Sequence, residues 1–68
     1  MSFVPVSSSN LSAVSYADGV LAIRFKSGGV YRYFGVPETV YRDLLAAPSK
    51  GRYFARYIKN IYPFERAA

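Results

Sequence analysis

The sequence predicts an α+β domain: a three-stranded antiparallel meander (β-meander) followed by two helices packed on one sheet face. Three observations predict it. Apolar residues alternate with period two from Leu11 to Phe34, and the period changes to 3.6 after Gly35. Two turn signals, Asp18-Gly19 and Ser27-Gly28-Gly29, divide the first stretch. With 68 residues, a single folding unit is expected at 11–66, behind an irregular lead-in at 1–10. The chain is 51% hydrophobic and 18% aromatic and has no cysteine, so apolar packing and not cross-linking must hold it together.

In the lead-in, Phe3, Val4 and Val6 are expected to tuck against the core as a short edge segment, where Pro5 is tolerated. Asp18-Gly19 suits a type I′ hairpin, whose two central residues take positive φ. That turn pairs Ala17 with Val20, Tyr16 with Leu21 and Val14 with Ile23. One apolar face results, of Val14, Tyr16, Leu21, Ile23 and Phe25, with Ala22, Arg24 and Lys26 on the other. For the second turn, a three-residue loop Ser27-Gly28-Gly29 with Gly29 left-handed pairs Phe25 with Tyr31 and Ile23 with Tyr33. A two-residue Gly28-Gly29 turn would place Arg32 on the apolar face, and burying an unpaired guanidinium costs several kcal/mol. The three-residue loop is therefore expected, with Tyr31 and Tyr33 in the core and Arg32 in solvent beside Arg24.

Pro37 suits the first turn of a helix, with Glu38 favourable near its N-terminus and able to pair with Arg42. Val40, Tyr41, Leu44 and Leu45 form its apolar stripe, and Pro48 stops it. Ser49 reads as the N-cap of a second helix, with Tyr53, Phe54, Tyr57, Ile58 and Ile61 as the buried stripe and Pro63 as its bound.

Composition excludes more functions than it selects. Histidine is absent, which removes the usual general base and a common metal ligand. Asp18, Glu38, Asp43 and Glu65 are scattered, so no acid–base pair is placed by spacing, and no serine has a histidine to activate it. The expectation is a non-catalytic protein with no cofactor and no metal. Met1 to Ala13 lacks the pattern of a secretory signal, and no stretch approaches the roughly 20 apolar residues of a membrane span, so a cytoplasmic protein is expected.

Nine Lys and Arg against four Asp and Glu give a formal charge of +5, which favours anionic partners. At 100° per residue, Arg52, Arg56 and Lys59 fall within about 60° of one another, opposite the apolar stripe of the second helix. Lys50 adds charge near that helix's N-terminus, and a phosphate backbone would find several contacts on such a ridge. Arg24, Lys26 and Arg32 make a second basic surface on the sheet. Tyr31 and Tyr33 would be a base-stacking platform if exposed, whereas the preferred register makes them core. Two partner classes follow: RNA or single-stranded DNA, or a protein partner or second copy met by Phe3, Phe34, Tyr62 and Phe64. Of the oligomeric states, the monomer is preferred.

These residues resemble the KTSC domain family, a small bacterial module that also occurs at the C-terminus of some lysyl-tRNA synthetases. The resemblance runs from Val6 to Arg66. It rests on Val6-Ser7-Ser8-Ser9, on Phe25-Lys26-Ser27-Gly28-Gly29-Val30-Tyr31-Arg32-Tyr33, on Val36-Pro37, and on Ser49-Lys50-Gly51 through Tyr53-Phe54 to Ile58-Lys59 and Tyr62-Pro63. Tyr31 and Tyr33 meet the family's central Tyr-x-Tyr. The resemblance is to a family of unknown function, for which the synthetase association suggests RNA binding, and it carries over no catalytic or binding residue.

Overall fold

The computed structural model describes residues 2–68. Its strands are β1 (Val4–Pro5), β2 (Leu11–Ala17), β3 (Val20–Phe25), β4 (Val30–Tyr33) and β5 (Phe64–Arg66). All neighbours are antiparallel, in the order β1-β2-β3-β4-β5. The sheet therefore has five strands in place of the three expected: a four-stranded meander, then β5 returning beside β4 after the helices. Both additions are too short to show a period, and β5 is exposed along its whole length. Pairing partners define β5 instead. Tyr31 stands opposite Arg66 and Tyr33 opposite Phe64, while the Arg32 guanidinium pairs with the Glu65 carboxylate. Phe34 N–H donates to Pro63 O at 2.9 Å, which holds the start of the return.

The first hairpin has the expected register, with Ala17 opposite Val20, Tyr16 opposite Leu21 and Val14 opposite Ile23. Asp18 at φ 51° and Gly19 at φ 78° supply the two left-handed positions. The second hairpin differs. Ile23 pairs with Tyr31 and Leu21 with Tyr33, and Phe25 N–H donates to Gly29 O at 2.9 Å. Its loop is Lys26-Ser27-Gly28, one residue earlier than expected, with Gly28 at φ 111° as the positive-φ position. The register thus moves by two residues, an even slip that leaves each side chain on its expected face.

The helices are α1 (Glu38–Ala46) and α2 (Lys50–Tyr57). Pro37 is the extended residue before α1 instead of lying within its first turn. Ser49 caps α2 as expected, its hydroxyl accepting from Arg52 N–H at 3.4 Å. Between the helices and the sheet, Val14, Leu21, Ile23 and Tyr33 pack with Val36, Leu44, Phe54 and Ile58. A bulge at Ser12 returns Leu11 to this side. Tyr16 stacks on Tyr41 with centroids 5.0 Å apart and donates its hydroxyl to Val36 O at 2.6 Å.

The apolar stripes are narrower than the spacing suggests. Leu44 is buried, but Leu45 is at the surface. Of the stripe on α2 and the residues just after it, Phe54 and Ile58 are buried, while Tyr57 is 48% and Ile61 56% exposed. A helix of eight residues against one sheet and one short neighbour covers a single row. Among the described residues no helix is long and apolar enough to cross a membrane.

Candidate nucleic-acid interface

Phe54 and Ile58 anchor α2 to the sheet, so residues on its far side meet solvent. Arg52 and Arg56, four apart, lie exposed along one row. Tyr53 and Tyr57, also four apart, form the adjoining row, with ring centroids 4.7 Å apart. The Arg56 guanidinium stands 5.7 Å from the Tyr57 ring. With Pro48 and Ser49 these four side chains border a shallow groove of about 330 Å³. The ion pairs among the described residues are Arg32–Glu65 and Arg42–Glu38, so neither Arg52 nor Arg56 is neutralised by an adjacent acid. Asp43 stands on the α1 side of the tyrosines, across a second groove. Burial first, then Asp43 and the neighbouring Tyr57 and Tyr62, push the Tyr53 hydroxyl above the usual tyrosine range, so it stays neutral at physiological pH.

The other expected cations are distributed differently. Lys50 turns back, its ammonium donating to Ala47 O at 3.1 Å, and so closes the end of α1. Lys59 leaves the Arg52–Arg56 row. Ile58 N–H and Lys59 N–H both donate to Phe54 O, at 3.0 and 2.9 Å, and Asn60 takes φ 64°. This helix-ending geometry carries Lys59 to the opposite flank of α2, beside Phe54, Phe25 and Asn10. Arg24 and Arg32 point from the sheet face away from the helices. Arg24 lies 4.4 Å from the Phe3 ring, and Arg32 is held by Glu65. Lys26 is exposed in the second hairpin loop. The cations thus occupy separate surfaces and form no single patch.

Tyr33 lies in the core at 5% exposure, and Tyr31 is half-buried beside it. The sequence reading places Tyr53 and Tyr57 in the buried stripe; Tyr53 is half-buried and packs against the core, whereas Tyr57 is exposed, and the edge the two rings form beside the arginines was missed. Their adjacency to Arg52 and Arg56 at the same four-residue spacing was the available signal.

Comparison with known proteins shows the family and the fold. The KTSC domain matches residues 7–62. A KTSC domain protein from Yersinia pestis, known from a crystal structure, superposes with a TM-score of 0.93 at 36% identity, covering 98% of this chain and 97% of that one. A protein from Tsukamurella paurometabola is 46% identical over 57 residues, which is 81% of this chain and 85% of the relative. The lysine–tRNA ligase of Nostoc punctiforme is 52% identical over 46 residues, 68% of this chain but only 8% of the ligase. The chain therefore matches one small segment of that long enzyme. With the family's match spanning most of the length, and a solved member sharing the fold almost end to end, the chain belongs to the KTSC domain family.

Proposed function

We propose that the domain is a small non-catalytic module of the cytoplasm that binds RNA or single-stranded DNA weakly and with little sequence preference. The observation that carries this is the pairing of rows on α2: two unneutralised guanidinium groups, Arg52 and Arg56, beside two tilted neighbouring rings, the half-buried Tyr53 and the exposed Tyr57. Guanidinium groups contact successive phosphates, and a tyrosine face accepts an unstacked base of any identity. The similarity to a segment of lysine–tRNA ligases supports the reading, since those relatives are named for tRNA. An affinity of roughly 10⁻⁴ to 10⁻⁶ M at physiological salt is expected.

Fluorescence anisotropy with labelled single-stranded RNA and DNA at low salt tests it. Arg52→Glu with Arg56→Glu should abolish binding while the circular dichroism spectrum is kept. Full binding by that variant would reject the reading. In the alternative, a protein-interaction surface, only Phe64 of the four nominated aromatics is exposed, Phe3, Phe34 and Tyr62 being half-buried.

A further inference from the structure

The flank of α2 opposite the tyrosines carries a different feature. There α2 ends, and the chain returns through Asn60 to β5, leaving part of the sheet's inner face uncovered. A cleft of about 390 Å³ remains, walled by Phe25, Tyr31, Tyr33, Phe54 and Phe64. This volume is within the range of small-molecule sites. The rings meet largely edge to face: Phe25 and Phe54 at 5.3 Å and 68°, Tyr33 and Phe54 at 5.4 Å and 74°. Such edge-to-face packing adds about 0.5–1.5 kcal/mol per pair beyond the area buried.

The polar groups are few and convergent. Asn10, Lys59 and Asn60 complete the lining, which includes no carboxylate. Lys59 has no acidic partner among the described residues. The Asn10 side chain packs against α2 where a Cβ at Gly51 would collide with its amide oxygen, so Gly51 makes room for it. That oxygen accepts from the Ser8 hydroxyl at 3.2 Å, leaving the amide NH₂ as a donor. Tyr33 is 5% exposed, and its hydroxyl, which is not among the buried unpartnered atoms, is free of protein partners among the described residues, whereas that of Tyr16 donates to Val36 O. Burial first, and then Tyr31, push the Tyr33 hydroxyl above the usual tyrosine range, so it remains a donor.

A phenyl or aliphatic occupant would satisfy the walls but strip water from these polar groups, at about 1–3 kcal/mol for each one left unpaired. A flat heteroaromatic ring with donors and acceptors on its edge avoids that loss, and an anion attached to it would pair with the exposed Lys59. We propose that this cleft is a nucleotide pocket, holding one unstacked nucleobase against its aromatic wall with the attached phosphate on Lys59. The unit arrives as a free mononucleotide or as one residue of a single strand. Only the second form rests on the nucleic-acid reading above.

Amide chemical-shift mapping of the whole chain tests it, with the four ribonucleoside 5′-monophosphates, a ribo-pentanucleotide, inorganic phosphate and phenylpropionate as probes. At least one monophosphate should shift Asn10, Tyr31, Tyr33, Phe54 and Asn60. Lys59→Gln should weaken it on the order of tenfold. Tyr33→Phe, which keeps the ring, should weaken it about threefold. Arg42→Gln on α1 removes the same charge elsewhere and should leave affinity unchanged. Silence of the cleft toward every nucleotide overturns the proposal, as does equal response to inorganic phosphate alone or tighter binding of phenylpropionate. Cleft shifts with monophosphates but no strand binding would sink only the nucleic-acid reading. Strand binding that depends on Arg52 and Arg56 while the cleft stays silent would sink only this one.

Discussion

Ser15 on β2 is 1% exposed, and its hydroxyl is buried without a hydrogen-bond partner. It belongs to the sheet face away from the helices, beside the buried Ala13 and Ala22, on the side that carries the Arg24–Phe3 stack. A polar atom stripped of water with nothing in exchange costs about 1–3 kcal/mol, far more than the van der Waals contacts of one oxygen return. Ser15→Ala should therefore stabilise the fold by roughly 1 kcal/mol, read as a higher urea midpoint at unchanged slope. A lower midpoint would show that the hydroxyl is satisfied in solution, by a bound water for instance. Alternation alone assigns Ser15 to the outer face, but its burial was not legible. The Arg24–Phe3 stack on the same face joins segments far apart in sequence, which alternation does not register.

Among the elements, the hairpins show which information is local. Asp18-Gly19 fixes its own register because both residues must adopt left-handed φ and the flanking apolar residues leave one face to match. In the second hairpin, Lys26-Ser27-Gly28 and Ser27-Gly28-Gly29 both offer a three-residue loop ending in glycine. Facial matching cannot separate registers two residues apart, so the faces were legible and the pairs were not. Gly28, at φ 111°, has no atom near the position of an added Cβ, so only its backbone conformation opposes a side chain. Gly28→Ala should cost about 1–2 kcal/mol in thermal or urea unfolding. A neutral outcome would return the left-handed role to Gly29. At Gly29 the obstacle is instead packing, since a Cβ would lie 2.9 Å from the Tyr31 ring. Strand β5 was illegible for a related reason: Phe64-Glu65-Arg66 has no buried residue, and β4, some thirty positions upstream, defines it. The candidate site was half legible. Helical spacing locates Arg52 and Arg56, but it overstates the width of the buried stripe and so hides the exposed Tyr57.

The whole molecule decides how much of its charge one strand can use. With α2 on one face of the sheet and Arg24 and Arg32 on the other, a net charge of +5 does not act as a single field. Lys50 is committed to Ala47 O and Arg32 to Glu65, which leaves Arg52 and Arg56 on the crest of α2, with Lys59 on its flank. A single strand lying along α2 therefore meets two or three cations. Because each phosphate neutralised on a single strand contributes about 0.7 to the salt slope, log K against log salt should fall with a slope of roughly −1.4 to −2.1. If all the basic residues converged on one ligand, the slope would be several-fold steeper. Arg24→Gln, which removes a cation from the opposite face, should leave affinity within about twofold and the slope unaltered. Arg56→Gln should flatten the slope by about 0.7. A steep slope that responds to Arg24 would mean that the strand wraps from one face of the sheet to the other, and the row on α2 would be only one part of the surface it contacts.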